Sequence, residues 1–429
     1  MTAHDDTEQD DTSIKVQDRI EKDKTWRQKR KSKKLYNPVV ELYDNEELEY
    51  YRNQKHAMKE KIAEFESEIS TIRVDSHVPT RFRLLMADID PKIKADVIKK
   101  YETSESDHKL QSWLNAVCRI PFGKYTPLPV NSKSPRNDIR KFLVNIQTHL
   151  DNSVYGHRDA KEHIVKLMAQ WVSNPTCKGL VLGIQGDPGV GKTSLVKEGI
   201  SKALNMPFAF VSLGGVRDCC FLEGHSYTYE GSTWGRIASI LMQSQCMNPV
   251  ILFDELDKVS TSTKGEEIIN KLMHITDPTQ NDKFTDRYFV DLEFDLSRCI
   301  IIFTYNNKDN IDPILRDRIT EIVTKGYNVH DKIIIAKKYL IPSIKKEFSM
   351  DDININISDD TIKKVISMIH DEQGVRHLKR ALYQIVSGLH YNMMMTLEES
   401  ENEITVNDQV ISKYLKTKER NDFHSNLYI

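Results

Sequence analysis

An apolar strand over residues 180–185 runs without a break into Gly186-Asp187-Pro188-Gly189-Val190-Gly191-Lys192-Thr193, and residues 194–204 then read as a helix. This is G-x-x-x-x-G-K-[ST] in the strand–loop–helix setting that the motif requires. The glycines let the backbone wrap closely enough for successive N–H groups to face phosphate oxygens. The helix that opens at Ser194 adds the partial positive charge of its N-terminus. Lys192 is placed to neutralise β and γ phosphates, and the Thr193 hydroxyl to ligate magnesium. MgATP is the expected ligand. Such a loop commits its surroundings to an α/β domain with a parallel sheet, and the alternation of helices with short β-branched runs from 137 to 341 agrees.

Two further strands end in polar residues. Residues 249–253 form an apolar run followed at once by Asp254-Glu255. Carboxylates at the end of a buried strand need a partner for their charge. Magnesium held by Asp254 supplies one, while Glu255 is the candidate general base that polarises the attacking water. Residues 299–304 end in Tyr305-Asn306-Asn307. The carboxyl ends of strands are where open α/β sheets bind ligands, so Asn306 is the candidate for positioning that water, and Asn307 suits a turn. Arg316-Asp317-Arg318 lies too far from any apolar seam for core packing. It is either a surface salt bridge or a finger arginine.

The rest of the chain sets boundaries. With 429 residues and 39% hydrophobic content there is material for one large core or two or three smaller ones. A formal net charge of −2 argues against coating nucleic acid or an anionic membrane through bulk charge. No apolar run approaches the roughly 20 residues of a membrane span, and the acidic start is not a secretory signal. Six cysteines are scattered without C-x-x-C spacing, and the adjacent Cys219 and Cys220 suit neither an ordinary disulfide nor a zinc knuckle. A reducing intracellular location, cytoplasmic or nuclear and not secreted, is expected. Residues 1–45 read as a disordered charged tail whose basic run at 29–34 is either a solvated tail or a nuclear-import or nucleic-acid tag. Leu48, Tyr51, Lys55, Met58, Ile62, Phe65, Ile69 and Ile72 make a heptad seam of about three and a half repeats, either a coiled coil or an amphipathic helix on a bundle. The expected division is a helical neck at 46–125, a linker at 126–140, the α/β domain at 141–342, a helical lid at 343–418 and a tail at 419–429.

Several stretches together resemble the AAA+ module of Lon proteases. Tyr155-Gly156 opens an amphipathic helix ahead of the phosphate loop, similar to the family's adenine-contacting segment. Ser212-Leu213-Gly214-Gly215-Val216-Arg217-Asp218, Glu223-Gly224-His225 and Thr228-Tyr229-Glu230-Gly231 resemble a stretch peculiar to that family. Asp277-Pro278-Thr279-Gln280-Asn281 and Gly374-Val375-Arg376 also match, and the likeness covers about 78–415. The resemblance implies that Lys192 and Thr193 bind phosphate and magnesium, and that Asp254 and Glu255 are the metal-binding and catalytic carboxylates. It implies Asn306 as the sensor asparagine, Arg318 as the finger reaching a neighbouring subunit, and Arg376 as the sensor arginine of the lid. Tyr229 corresponds to the pore aromatic that grips substrate, and the working form is expected to be a ring, a hexamer.

Three departures qualify the likeness. Glu230 replaces the apolar residue that normally follows the pore aromatic, Asp187 stands where proline is usual, and Arg316 adds a charge beside the finger. The chain runs to Ile429 without a Gly-Pro-Ser nucleophile context, so no peptidase activity of its own is expected. The expected function is an ATPase that unfolds, translocates or remodels protein substrates. The alternatives are the motor subunit of a protease whose peptidase is a separate chain, or a nucleic-acid remodeller acting through the basic tail.

Overall fold

The computed structural model describes residues 45–54, 58–59, 61–65, 78–104, 107–174, 181–260, 262–395 and 403–415. The basic run at 29–34 and the heptad positions Lys55, Ile69 and Ile72 lie outside them. The chain divides into two units, Met1–Pro79 and Thr80–Ile429. In the first, helix α1 spans Asn45–Asn53, and residues 58–59 and 61–65 are also helical.

The second unit begins with α2 (Thr80–Met86), α3 (Pro91–Glu102) and α4 (His108–Val117). Asp90 and Asp107 stop their helices from unravelling by accepting the orphan N–H groups of Lys92 and Lys109, each at 2.9 Å. Then follow α5 (Arg136–Ser153), α6 (Arg158–Ser173) and strand β1 (Val181–Gln185). After the phosphate loop comes α7, which runs through Lys192–Ser194, a π-type stretch Leu195–Ser201 and Lys202–Leu204. Next are β2 (Phe208–Ser212), the short α8 (Cys220–Glu223), α9 (Arg236–Ser244) and β3 (Val250–Asp254). The unit continues with α10 (Thr263–Thr276), the antiparallel pair β4 (Phe284–Thr285) and β5 (Glu293–Phe294), β6 (Ile300–Tyr305), α11 (Pro313–Asp317) and β7 (Thr320–Val323).

Strands β2, β3, β6, β1 and β7 lie in that order in one five-stranded sheet, and every neighbouring pair is parallel. Both faces are covered, which is why β3 and β6 are near-continuous runs of Val, Ile, Leu and Phe. Their side chains alternate between two cores. Ile251, Phe253, Ile301 and Phe303 enter one cluster; Val250, Leu252, Ile300 and Ile302 enter the other with α5, α6 and α7. The first cluster also holds Leu84, Val97, Trp113 and Val117 from α2–α4. Trp113 is fully buried, and its Nε1 donates to the Tyr288 carbonyl at 2.9 Å. The segment after Phe122 is pinned to the sheet's rim, because the Asn248 side chain bonds both the N–H and the carbonyl of Thr126 at 2.8 and 2.9 Å.

The C-terminal part has its own apolar cluster. Helix α12 runs through Val329–Ile335, Ala336–Leu340 and Ile341–Glu347, followed by β8 (Asn354–Ile357), α13 (Asp359–Met368), α14 (Arg376–Met395), β9 (Glu403–Val406) and α15 (Asp408–Tyr414). The sequence reads as helical throughout here, but β8 and β9 pair in a parallel ladder that places Ile355 and Ile357 in the core. Four-residue strands are too short for their alternation to stand out against the flanking helical pattern. No helix among the described residues is long and apolar enough to cross a membrane.

Candidate active site

The chain leaves β1 toward β2, β3 and β6 on one side and returns to β7 on the other, so β1 sits where the strand order reverses. That is where open parallel sheets place their ligands. A cleft of about 990 Å³ opens there, lined by residues 188–194 of the loop, Asp254 and Glu255 from the end of β3, Asn306 from the end of β6, Tyr155, and Arg376 from the start of α14. Gly189 and Gly191 adopt left-handed φ values of 82° and 92°. At Gly191 a Cβ would press on Val154 at 3.0 Å, so backbone angle and space both require glycine.

Lys192 reaches back across the loop. Its Nζ donates to the Gly186 carbonyl at 2.6 Å and to Asn306 Oδ1 at 2.7 Å. Burial lowers its pKa, an effect opposed by Asp254, Asp257, Asp187 and Glu255. Asp254 accepts a hydrogen bond from the Thr304 hydroxyl of the adjacent strand. Glu255 takes a left-handed φ of 63° and pairs with Lys258. Such a conformation costs about 1–3 kcal/mol in a non-glycine residue and persists where the surroundings impose it. The close backbone of Gly214 is part of those surroundings, since a side chain there would collide with the Glu255 carboxylate.

The other expected residues divide by place. Gly186 packs on Thr324, and Asp187 is exposed, as its charge demands. Gly156, at φ 72°, lines a second depression beside the cleft with Tyr155 and His157. Arg318 does not enter the cleft. It donates to the Met273 carbonyl at 2.6 Å and pairs with Asp277 at 3.0 Å. Tyr229 does not enter it either: it is 70% exposed in the loop between α8 and α9.

Several participants escape a reading by motif. Asp257 Oδ2 accepts the N–H groups of Asn306 and Asn307 at 3.1 and 3.0 Å and so fixes the turn that aims Asn306. Its only signal is a third carboxylate two residues after Glu255. Lys379 and Arg380, on the turn after Arg376, add cations to the cleft lining. The Tyr327 hydroxyl lies 2.8 Å from His157 Nε2 and 2.9 Å from the Val190 carbonyl, joining the segment beyond β7 to the phosphate loop. Burial lowers the His157 pKa. Finally, the Val375 N–H donates to the Gly189 carbonyl at 3.2 Å, and any Cβ on Gly374 would collide with Pro188.

These residues fit a magnesium-bound triphosphate. The glycine cradle has no room for side chains, cations line it, and Thr193 with Asp254 offers the all-oxygen set that suits a hard divalent ion. Residues 182–327 match the model of the family described as "ATPase family associated with various cellular activities (AAA)". The chain is 37% identical over 342 residues to a Lon protease homolog of Acanthamoeba polyphaga mimivirus, covering 77% of this chain and 33% of that protein. It is 32% identical over 370 residues to the Lon protease of Fusobacterium nucleatum, covering 85% and 46%. With the mitochondrial Lon protease homolog of Schizosaccharomyces pombe it shares 32% identity over 385 residues, covering 86% and 35%. The chain thus matches between a third and a half of the length of these relatives. Taken with the cleft, these likenesses identify the chain as a carrier of a P-loop ATPase module of the AAA family, similar to the one in Lon proteases.

Proposed function

We propose that this chain hydrolyses MgATP to unfold, translocate or remodel protein substrates, working as a ring. The observation that supports this most is the convergence of Lys192, Thr193, Asp254, Glu255, Asn306 and Arg376, from three strand ends and a separate helical region, on one cleft. In this reading Lys192 and the loop N–H groups hold the β and γ phosphates, with Thr193 and Asp254 as the metal ligands. Bound magnesium supplies charge neutralisation at the phosphates. Glu255 takes the proton of the attacking water, which Asn306 orients, and Arg376 stabilises charge from the helical side. Tyr229, exposed beside Glu230, contacts the polypeptide being moved. The nearby carboxylate favours basic or polar segments over greasy ones.

Substitution Glu255→Gln keeps the shape of the side chain and removes the base. Turnover is expected to fall by about 10²–10⁴-fold with nucleotide affinity nearly unchanged. Capture of bound proteins by this variant in ATP would identify substrates and any separate peptidase partner. If the purified wild-type chain hydrolyses no ATP in the presence of magnesium, or if unfolded protein never alters its rate, the proposal is wrong.

A further inference from the structure

Cys219 and Cys220 lie outside the nucleotide cleft, at the start of α8 and at the base of the loop that carries Tyr229. The two sulfurs and the Asp218 carboxylate offer ligand atoms that all lie within 4.8 Å of one another. Beside that cluster, Glu267 on α10 brings Oε2 to 3.3 Å from Cys219 Sγ. The Asp218 carboxylate is oriented by the Cys220 N–H, which donates to it at 2.8 Å. Glu223 approaches Cys219 at 3.6 Å but is engaged by Lys271 and Arg287.

The pair is not built to close on itself. Adjacent residues joined by a trans peptide have Cα atoms about 3.8 Å apart, short of the roughly 4.4 Å lower limit of an unstrained disulfide. Two sulfurs and one carboxylate gathered within 4.8 Å of one another, with a second carboxylate against Cys219 from another helix, suit an ion instead. We propose that Cys219, Cys220, Asp218 and Glu267 bind a single divalent cation of the zinc class and thereby cross-link α8 to α10. A tetrahedral zinc, at about 2.3 Å from sulfur and 2.0–2.2 Å from oxygen, sets a neighbouring sulfur and oxygen about 3.5 Å apart. The observed separation of Cys219 Sγ and Glu267 Oε2 is close to that. Thiolate ligands also discriminate against magnesium, which the all-oxygen phosphate cleft suits. Arg287 now stands 3.7 and 3.8 Å from the two sulfurs on a half-exposed side chain. It swings outward on its Glu223 anchor when the ion enters. The ion joins the base of the Tyr229 loop to the helix whose far end leads to Asp277, the partner of Arg318.

The test strips the full chain with a chelator and titrates it with Co²⁺, then displaces the cobalt with Zn²⁺. One cobalt per chain is expected, with thiolate-to-metal charge-transfer absorption that zinc abolishes. C219S/C220S should remove the band and weaken zinc binding by at least about 100-fold, and Glu267→Gln should weaken it by about 10-fold. Lys192→Ala should leave it intact. C220S and E267Q alter only partly or fully exposed side chains, so they report on the folded protein even if the double variant does not fold. Absence of the band in the wild-type chain, or its survival in C219S/C220S, overturns the proposal.

Discussion

Asp257 is the residue whose importance exceeds its visibility. Its carboxylate holds two backbone N–H groups at the end of β6, while its Oδ1 is buried without a hydrogen-bond partner among the described residues. Because both N–H groups share one oxygen, replacing Asp257 by Asn either puts an amide donor against the two of them or leaves them a weaker acceptor. D257N should therefore misplace Asn306 and lower the turnover number about 10-fold or more, with nucleotide affinity within a factor of a few. A steady-state ATPase assay beside a binding titration separates the two. Asp286 poses a different residue-scale question. Burial raises its pKa to about 7, although the N–H groups of Gly235 and Tyr288 donate to it at 2.8 and 2.9 Å. An acid whose folded pKa exceeds its unfolded value favours the fold when protonated. Its contribution is complete below the unfolded pKa near 4 and disappears as pH rises to about 7. That amounts to about 4 kcal/mol at most. The melting temperature of the wild-type chain relative to Asp286→Asn should accordingly fall between pH 4 and pH 7 and level off above. A flat difference would mean that Asp286 is ionised in the fold throughout. At this scale the sequence displays Lys192, Thr193, Asp254, Glu255 and Asn306, because each ends or follows a strand at a fixed motif position. Asp257 and Tyr327 stay hidden because their role is to hold backbone, and holding backbone needs no particular spacing.

Among the elements, β1, β3 and β6 are legible as apolar runs ending in polar residues, since their burial on both faces leaves no alternation to confuse. Helices α2–α4 are legible as helices, but their attachment is not. Their apolar faces read as a neck, and they fill the same cluster as Phe253 and Phe303. Periodicity says that a face is buried and never against what. The ladder of β8 and β9 escapes for a related reason, because its strands are separated by two helices and pair only in three dimensions. The junction of α14 with the phosphate loop depends on Gly374, whose Cα hydrogen faces the Pro188 carbonyl region with no room for a methyl group. Gly374→Ala should push α14 away from the loop. We expect at least about a 10-fold loss in kcat/KM for ATP with the melting temperature little changed, measured by ATPase kinetics and calorimetry.

For the molecule as a whole, the position of Arg318 carries the most information. It is anchored by Met273 and Asp277 and absent from the lining of its own chain's cleft. To act as a finger on a neighbouring subunit, Arg318 would have to leave its ion pair with Asp277. Arg318→Ala should lower turnover by about 10³-fold or more while sparing nucleotide binding. Mixing R318A with Lys192→Ala chains should restore part of the activity, since a neighbour can then supply the missing arginine. Failure of such mixtures to recover any activity would argue against subunits completing one another's sites.

The bond between Val375 N–H and the Gly189 carbonyl has a consequence for how such a machine can change over time. It joins main chain to main chain, so the identity of the side chain at 375 is irrelevant to it, and nineteen of the twenty amino acids can donate it; proline is the exception. Coupling of this type tolerates drift in sequence and responds only to the path of the backbone. Whatever reshapes the glycine cradle therefore tilts α14 directly, with no rotamer in between to absorb the movement.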